Sequence, residues 1–134
     1  MTTSAIIHFD GGTRPDNPGP SAIGYTIETD EWTAKGTEHI GGSTNNRTEY
    51  RALIRGLEDA SKQGCTEVEA RGDSQLVVKQ VRGEWSVNEP KLRPLRDRVQ
   101  VLVDEFEHFE IQHIPREENR EADALVDQAF ADWG

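Results

Sequence analysis

Apolar and polar residues alternate along the first forty positions of the chain, and the period then lengthens. Ser4 to Asp10 is mostly apolar and reads as a short strand that ends in Asp10-Gly11-Gly12. The stretch Thr13 to Pro20, closing on Asn17-Pro18-Gly19-Pro20, has the chemistry of turns and is expected to be a loop. Ile23, Tyr25 and Ile27 share one face of a second strand, Ala22 to Glu28, and Glu31 to Ile40 follows closely enough to make a hairpin meander. After Gly41-Gly42-Ser43, Leu53, Leu57 and Ala60 mark a helical stripe. That helix takes its cap from Thr44 or Asn45 and runs to about Gln63, before Gly64.

Thr66 to Arg71 returns to strand, and Ser74 to about Arg82 is a second helix stopped by Gly83. Leu95, Val99 and Leu102 lie in register along a third helix, Leu92 to Glu105. Phe109 to Ile114 is a last strand closed by Pro115. The final helix, from about Arg120 to Ala131, has Ala122, Leu125, Val126, Ala129 and Phe130 as its apolar arc. This order predicts one α/β (α+β) domain over residues 1–134, a five-stranded mixed sheet with helices on its faces.

Four carboxylates interrupt the pattern. Glu49 stands four residues before Leu53, so it points inward with the apolar stripe, where an unpaired charge is expensive. Asp73 stands four residues before Val77 and eight before Val81, again on a core-side stripe, although an aspartate there could equally cap the helix. Asp10 ends the first strand beside two glycines that let backbone or substrate approach; an ordinary strand-to-turn aspartate reads the same way. Asp123 lies in the first turn of the last helix, where a solvated face shared with Asp127 is the plain alternative. A mixed sheet would bring the element ends carrying Asp10, Glu49 and Asp73 to one edge, the place where open α/β sheets bind ligands. Carboxylates that meet repel unless a cation is present. Oxygen-only ligation without a histidine or cysteine cluster points to Mg²⁺ or Mn²⁺, and such sites clamp two ions roughly 4 Å apart.

Composition narrows the setting. No apolar run approaches the length of a membrane span, and no basic start precedes an apolar region, so neither membrane segment nor signal peptide is expected. Cys65, the one cysteine, excludes an internal disulfide and fits a reducing cytoplasm. The formal net charge is −10, and the only lysines are Lys35, Lys62, Lys79 and Lys91. An acidic, lysine-poor surface suits a protein working in high salt, where charges interact over only a few ångströms.

Strand-Asp10-Gly11-Gly12, Asn17-Pro18-Gly19-Pro20, Thr44-Asn45-Asn46-Arg47-Thr48-Glu49, Gly72-Asp73-Ser74-Gln75-Leu76-Val77 and Asn119-x-x-Ala122-Asp123 follow one another in this order. In this series the chain resembles the type 1 ribonucleases H along nearly its whole length. The resemblance implies a ribonuclease H-like fold and a catalytic set of Asp10, Glu49, Asp73 and Asp123 that holds two Mg²⁺ or Mn²⁺ ions. It implies that Asn17, Asn45, Asn46 and Gln75 contact the minor groove of an RNA/DNA hybrid, and that Thr44 and Arg47 hold a DNA-strand phosphate. The implied reaction is endonucleolytic hydrolysis of the RNA strand, leaving 3′-hydroxyl and 5′-phosphate ends; the chain itself is expected to be a monomer.

The chain departs from that family in two places. Val81 to Pro90 is too short and not basic enough to form the protrusion with which many members grip substrate, so this is a compact variant, and Trp85 is a candidate for base stacking. The missing protrusion leaves open a broader nuclease that also cuts double-stranded RNA; a non-catalytic hybrid- or RNA-binding module is the alternative from another class, against which the four carboxylates argue. His113 precedes Asp123 by ten residues, as the family's mobile product-release histidine would. Phe109, Ile111 and His113 alternate, however, which reads His113 as a strand residue and makes Arg116 the candidate substitute.

Overall fold

The computed structural model describes residues 2–133. Strands β1 (Ser4–Thr13), β2 (Gly19–Glu28) and β3 (Thr33–Ser43) form the antiparallel meander. Strands β4 (Glu67–Gly72) and β5 (His108–His113) extend the sheet in parallel from the other side of β1, giving the order β3-β2-β1-β4-β5. Helices α1 (Asn45–Lys62), α2 (Gln75–Val81) and α3 (Arg93–Val103) share the main core with one face of the sheet, and α4 (Arg120–Trp133) covers the other. The fold class is therefore the one the order of elements predicts: a five-stranded mixed sheet between helices.

Strand alternation decides which residues meet which layer. Ile7 and Phe9 of β1 with Ile23 and Ile27 of β2 are buried under α1, against Leu53 and Leu57. On the opposite face Ala22 packs against Val126 and Ala129 of α4. Tyr50 is fully buried, and its hydroxyl hydrogen-bonds the Gln80 side-chain oxygen at 2.7 Å, joining α1 to α2.

Several element ends differ from expectation. β1 continues three residues past Asp10, and β2 begins at Gly19, so the expected Thr13–Pro20 loop shrinks to residues 14–18. Pairing of Thr13 with Ser21, including a 2.8 Å hydroxyl contact, and the Arg14 N–H to Pro20 carbonyl bond carry the hairpin that far. β3 runs through Gly41-Gly42 to Ser43, because Gly41 takes a φ of 78° and a register shift at Ser21/Ala22 absorbs the irregularity. The cap of α1 is Thr44, one of the two residues expected, whose hydroxyl accepts the Arg47 N–H at 3.3 Å, so Glu49 stands in the second turn. Ser74 caps α2, accepting the Val77 N–H at 3.3 Å, which leaves Asp73 outside the helix with its carboxylate uncommitted to capping.

The contact between β2 and α4 leaves no room at Gly24, where a Cβ would lie 2.6 Å from the Ala122 carbonyl oxygen and 2.7 Å from Leu125 Cβ. Gly24→Ala is therefore expected to push α4 outward and to cost about 1–3 kcal/mol of stability. Thermal unfolding checks this; an unchanged melting temperature would mean that α4 is not held this close.

Candidate active site

β1 and β4 run in parallel up to the pair Phe9 and Gly72, and there they part. Asp10 comes next on β1 and Asp73 follows directly on the end of β4, so the divergence places one carboxylate on either side of the opening. Glu49 enters from α1. It can do so because α1 crosses close over Gly11, where a Cβ would sit 2.7 Å from the Thr48 carbonyl carbon. The Gly11 N–H donates to Glu49 Oε1 and fixes that side chain at the end of β1. Asp10, Glu49 and Asp73 each present an oxygen to a common point, with all three atoms within 4.8 Å of one another.

Asn119 completes this end of the sheet. It is 1% exposed, and its amide donates to the Phe9 carbonyl at 2.9 Å and to Asp73 Oδ2 at 3.1 Å. The first bond satisfies a strand carbonyl beside the opening, and the second holds the Asp73 carboxylate toward the other two. Asn119 thus ties the turn before α4 to both parallel strands.

Burial and mutual repulsion raise the affinity of Asp10 and Glu49 for protons. Desolvation is the largest cause for Asp10, and the neighbouring Asp73 and Asp123 add to it; the Glu49 side chain opposes, and the result is a pKa raised to about 7. Glu49 is likewise pushed well above the carboxylate range, by burial first and then by the Asp10 charge. Without a cation the pair keeps a proton at pH values where exposed carboxylates have lost theirs. An all-oxygen donor set of this kind, buried and self-repelling, fits a hard divalent cation.

The four expected carboxylates line one cleft of about 410 Å³, together with Asn45, Asn46 and Arg116. Asp123 faces this cleft but stands outside the three-oxygen group, and its carboxylate lies 3.7 Å from Arg116 Nη2. Asn17 accepts the Asn45 N–H at 3.1 Å, which ties the residue 14–18 loop to the start of α1. The Thr44 hydroxyl also receives Arg47 Nε at 3.3 Å, so those two side chains act as a unit. Gln75 and His113 open instead onto a neighbouring groove between α2 and β5. His113 is the last residue of β5, paired with Gly72, whereas Arg116 sits in a single 3₁₀ turn, Arg116–Glu118, at the cleft. Trp85 is exposed in the connection between α2 and α3.

Two residues of the site were not singled out from sequence. Arg14 lines the cleft, held by Asp127 and lying 4.7 Å over the Phe130 ring. Its signal was a cation beside the first catalytic-type strand of an acidic chain. Asn119 stood in a recognised motif, but its bond to a residue 46 positions away is invisible in the sequence.

Residues 8–129 match the Reverse transcriptase-like family. The chain is 45% identical over 127 residues to Ribonuclease HI of Halobacterium salinarum, covering 93% of this chain and 63% of that relative. It is 41% identical over 128 residues to a bifunctional protein of Mycobacterium tuberculosis, of which it spans 35%. The chain thus spans about two thirds and one third of these relatives' lengths. Among solved structures it is similar to the ribonuclease H1 of the halophilic archaeon Halobacterium salinarum, with a TM-score of 0.92 and 44% identity over 96% of this chain and 98% of that one. It is also similar to LC11-RNase H1 in complex with an RNA/DNA hybrid, with a TM-score of 0.89 and 40% identity over 96% and 97% of the two chains.

The proton held by Asp10 makes stability depend on pH. Its folded pKa of about 7 lies above the ordinary 3.8, so this contribution is fully present below the lower value and is lost as pH rises through the upper one. In EDTA the protein should lose stability across that window. Asp10→Asn should match it at acid pH and exceed it above about pH 8 by on the order of 1–4 kcal/mol. Divalent cation should then stabilise the parent more than the variant. Melting curves across pH with and without EDTA check this, and coincident curves at alkaline pH would contradict it.

Proposed function

The chain belongs to the type 1 ribonuclease H family, and we propose that it hydrolyses the RNA strand of RNA/DNA hybrids in a metal-dependent reaction. The observation that carries this reading is the convergence of Asp10, Glu49 and Asp73, from three separate elements, on a point within 4.8 Å at the open end of the sheet. The solved relative that holds an RNA/DNA hybrid supports the substrate. A purely binding module would gain nothing from carboxylates placed where phosphates must come.

In this reading Asp10, Glu49, Asp73 and Asp123 hold two Mg²⁺ or Mn²⁺ ions. Such ions, when bound, lower the pKa of an attacking water and neutralise the leaving 3′ oxygen. Asn119 keeps the Asp73 carboxylate turned to the site, and the Gly11 N–H does the same for Glu49. Asn17, Asn45 and Asn46, with Gln75 at the rim, present short amides that both donate and accept hydrogen bonds, the chemistry needed to sense 2′-hydroxyls in a minor groove. Thr44 and Arg47 together offer a hydroxyl and a guanidinium to one phosphate of the DNA strand. Arg116 stands at the mouth beside Asp123 and is placed to draw the 5′-phosphate product away, a task for which His113, at the end of β5, is poorly placed.

The test is cleavage of labelled RNA/DNA hybrid, double-stranded RNA and double-stranded DNA with Mg²⁺, Mn²⁺ or EDTA, at low and molar salt. The hybrid should be cut in its RNA strand, to 3′-hydroxyl and 5′-phosphate ends, only when metal is present. Asp73→Asn, by weakening the hold on the metal that would stabilise transition-state charge, should lower turnover on the order of a hundred- to a thousandfold while the protein stays folded. A hybrid left intact under every condition, or a variant with parental rates, would refute the reading.

His113→Ala should change kcat less than about twofold, and Arg116→Ala should lower kcat several-fold more than it changes KM, as slowed product release does. Steady-state kinetics on folded variants decide between them. A tenfold loss at His113 alone would return the exit role to the histidine.

A further inference from the structure

The charge of this protein is divided unevenly over its surface. Although the net charge is −10, seven of the fifteen lysines and arginines stand on α1 and α3. Arg47, Arg51 and Arg55 recur every fourth residue on α1, so they form a row with about 6 Å between neighbours. Arg93, Arg96 and Arg98 stand on α3, which lies beside α1 and runs in the same direction. The Arg98–Glu58 pair at 3.1 Å and the Ser61–Glu105 hydrogen bond at 2.8 Å fix that alignment. The first turns of both helices therefore point the same way, and α1 begins at the cleft, where Asn45 and Asn46 line it. Arg51 and Arg55 of α1 border a shallow groove of about 360 Å³ with Leu95 and Arg98 of α3.

Most of these arginines have local partners: Arg55 pairs with Glu38, Arg98 with Glu58 and Arg96 with Asp97. Arg51 is exposed and, among the described residues, makes neither an ion pair nor a side-chain hydrogen bond. An unpaired guanidinium in the middle of a cationic row, one turn beyond Arg47, is complementary to a run of phosphates. We infer that the α1–α3 face is a second stretch of substrate track, on which the backbone of a hybrid continues beyond the cleaved step, with Arg51 as its central contact. This rests on the reading of the protein as a hybrid nuclease, and it locates the grip that the short, non-basic connection between α2 and α3 does not supply.

Arginine is the residue suited to this task in salt. A lysine contact with phosphate is mostly point-charge attraction and is lost as counterions compete, whereas the guanidinium fork adds two directed hydrogen bonds. From Arg47 to Arg55 the row covers about 12 Å of helix axis, the rise of three to four base pairs of duplex. Only substrates with at least that much duplex beyond the cleavage site should feel it.

Hybrids with about ten base pairs on each side of the cleavage site are therefore compared with hybrids of about two. Arg51→Glu should raise KM for the long substrate at least about fivefold with kcat unchanged, and leave the short one alone. It should also reduce the slope of log affinity against log salt by roughly 0.9, one phosphate contact. Lys35→Glu, the same charge change away from this face, should leave KM unaltered. Arg51→Lys should resemble the parent in low salt and Arg51→Ala in molar salt. An Arg51→Glu protein with parental KM and salt slope on the long hybrid would overturn the inference, as would an equal effect from Lys35→Glu. Should the parent not cleave hybrids, the functional reading fails on its own; anisotropy of the long hybrid with parent and Arg51→Glu in EDTA still decides the surface, equal affinities counting against it.

Discussion

Three negative charges held together against their mutual repulsion set the terms for this structure. Asp10 and Glu49 are both under a tenth exposed, and Asp73 adds its charge to each. Left to themselves the side chains would turn apart or take up protons. Packing prevents the first. The parallel strands β1 and β4 part immediately before Asp10 and Asp73, α1 is pressed onto Gly11, and Asn119 bridges Phe9 to Asp73. The energy that would relax the cluster is thus converted into affinity for a proton or a cation.

The surrounding layers can be understood as the means of holding that edge still. The buried Tyr50–Gln80 bond ties α1 to α2, so that the elements carrying Glu49 and following Asp73 move together. α4 comes within contact distance of the β2 backbone only because Gly24 has no side chain, and that proximity brings Asp123 to the cleft. Glu49 and Asp123 therefore depend on close approaches between elements, at Gly11 and Gly24, where a side chain would prevent them.

Charge has a second pattern that runs against the first. A chain this acidic repels polyanions at long range, and in strong salt that repulsion is screened to short distance. In the proposed reading, recognition of phosphates would then come from directed contacts, which is consistent with arginine outnumbering lysine and with the arginines gathered beside the start of α1. Similarity to the ribonuclease H1 of a halophilic archaeon agrees with that economy of charge. Local concentration of guanidinium on one face can coexist with a net charge of −10 because each contact is short-ranged.

Much of this was legible in the linear chain. Period two giving way to period three or four located every strand and helix to within a few residues, and the inward phase of Glu49 and Asp73 marked them as unusual, because alternation and helical pitch are local properties. The order of motifs identified the family by the same local evidence. What the sequence could not contain was distance. That β1 continues to Thr13 by pairing with β2, that Asn119 bonds Asp73 while His113 lies on another groove, and that Arg51 is left without a carboxylate among the described residues all depend on contacts between separate segments of the chain. Those contacts arise only when the two faces of the sheet are covered and the strands diverge. Local propensity therefore settled the elements and their chemistry, and packing settled which side chains meet.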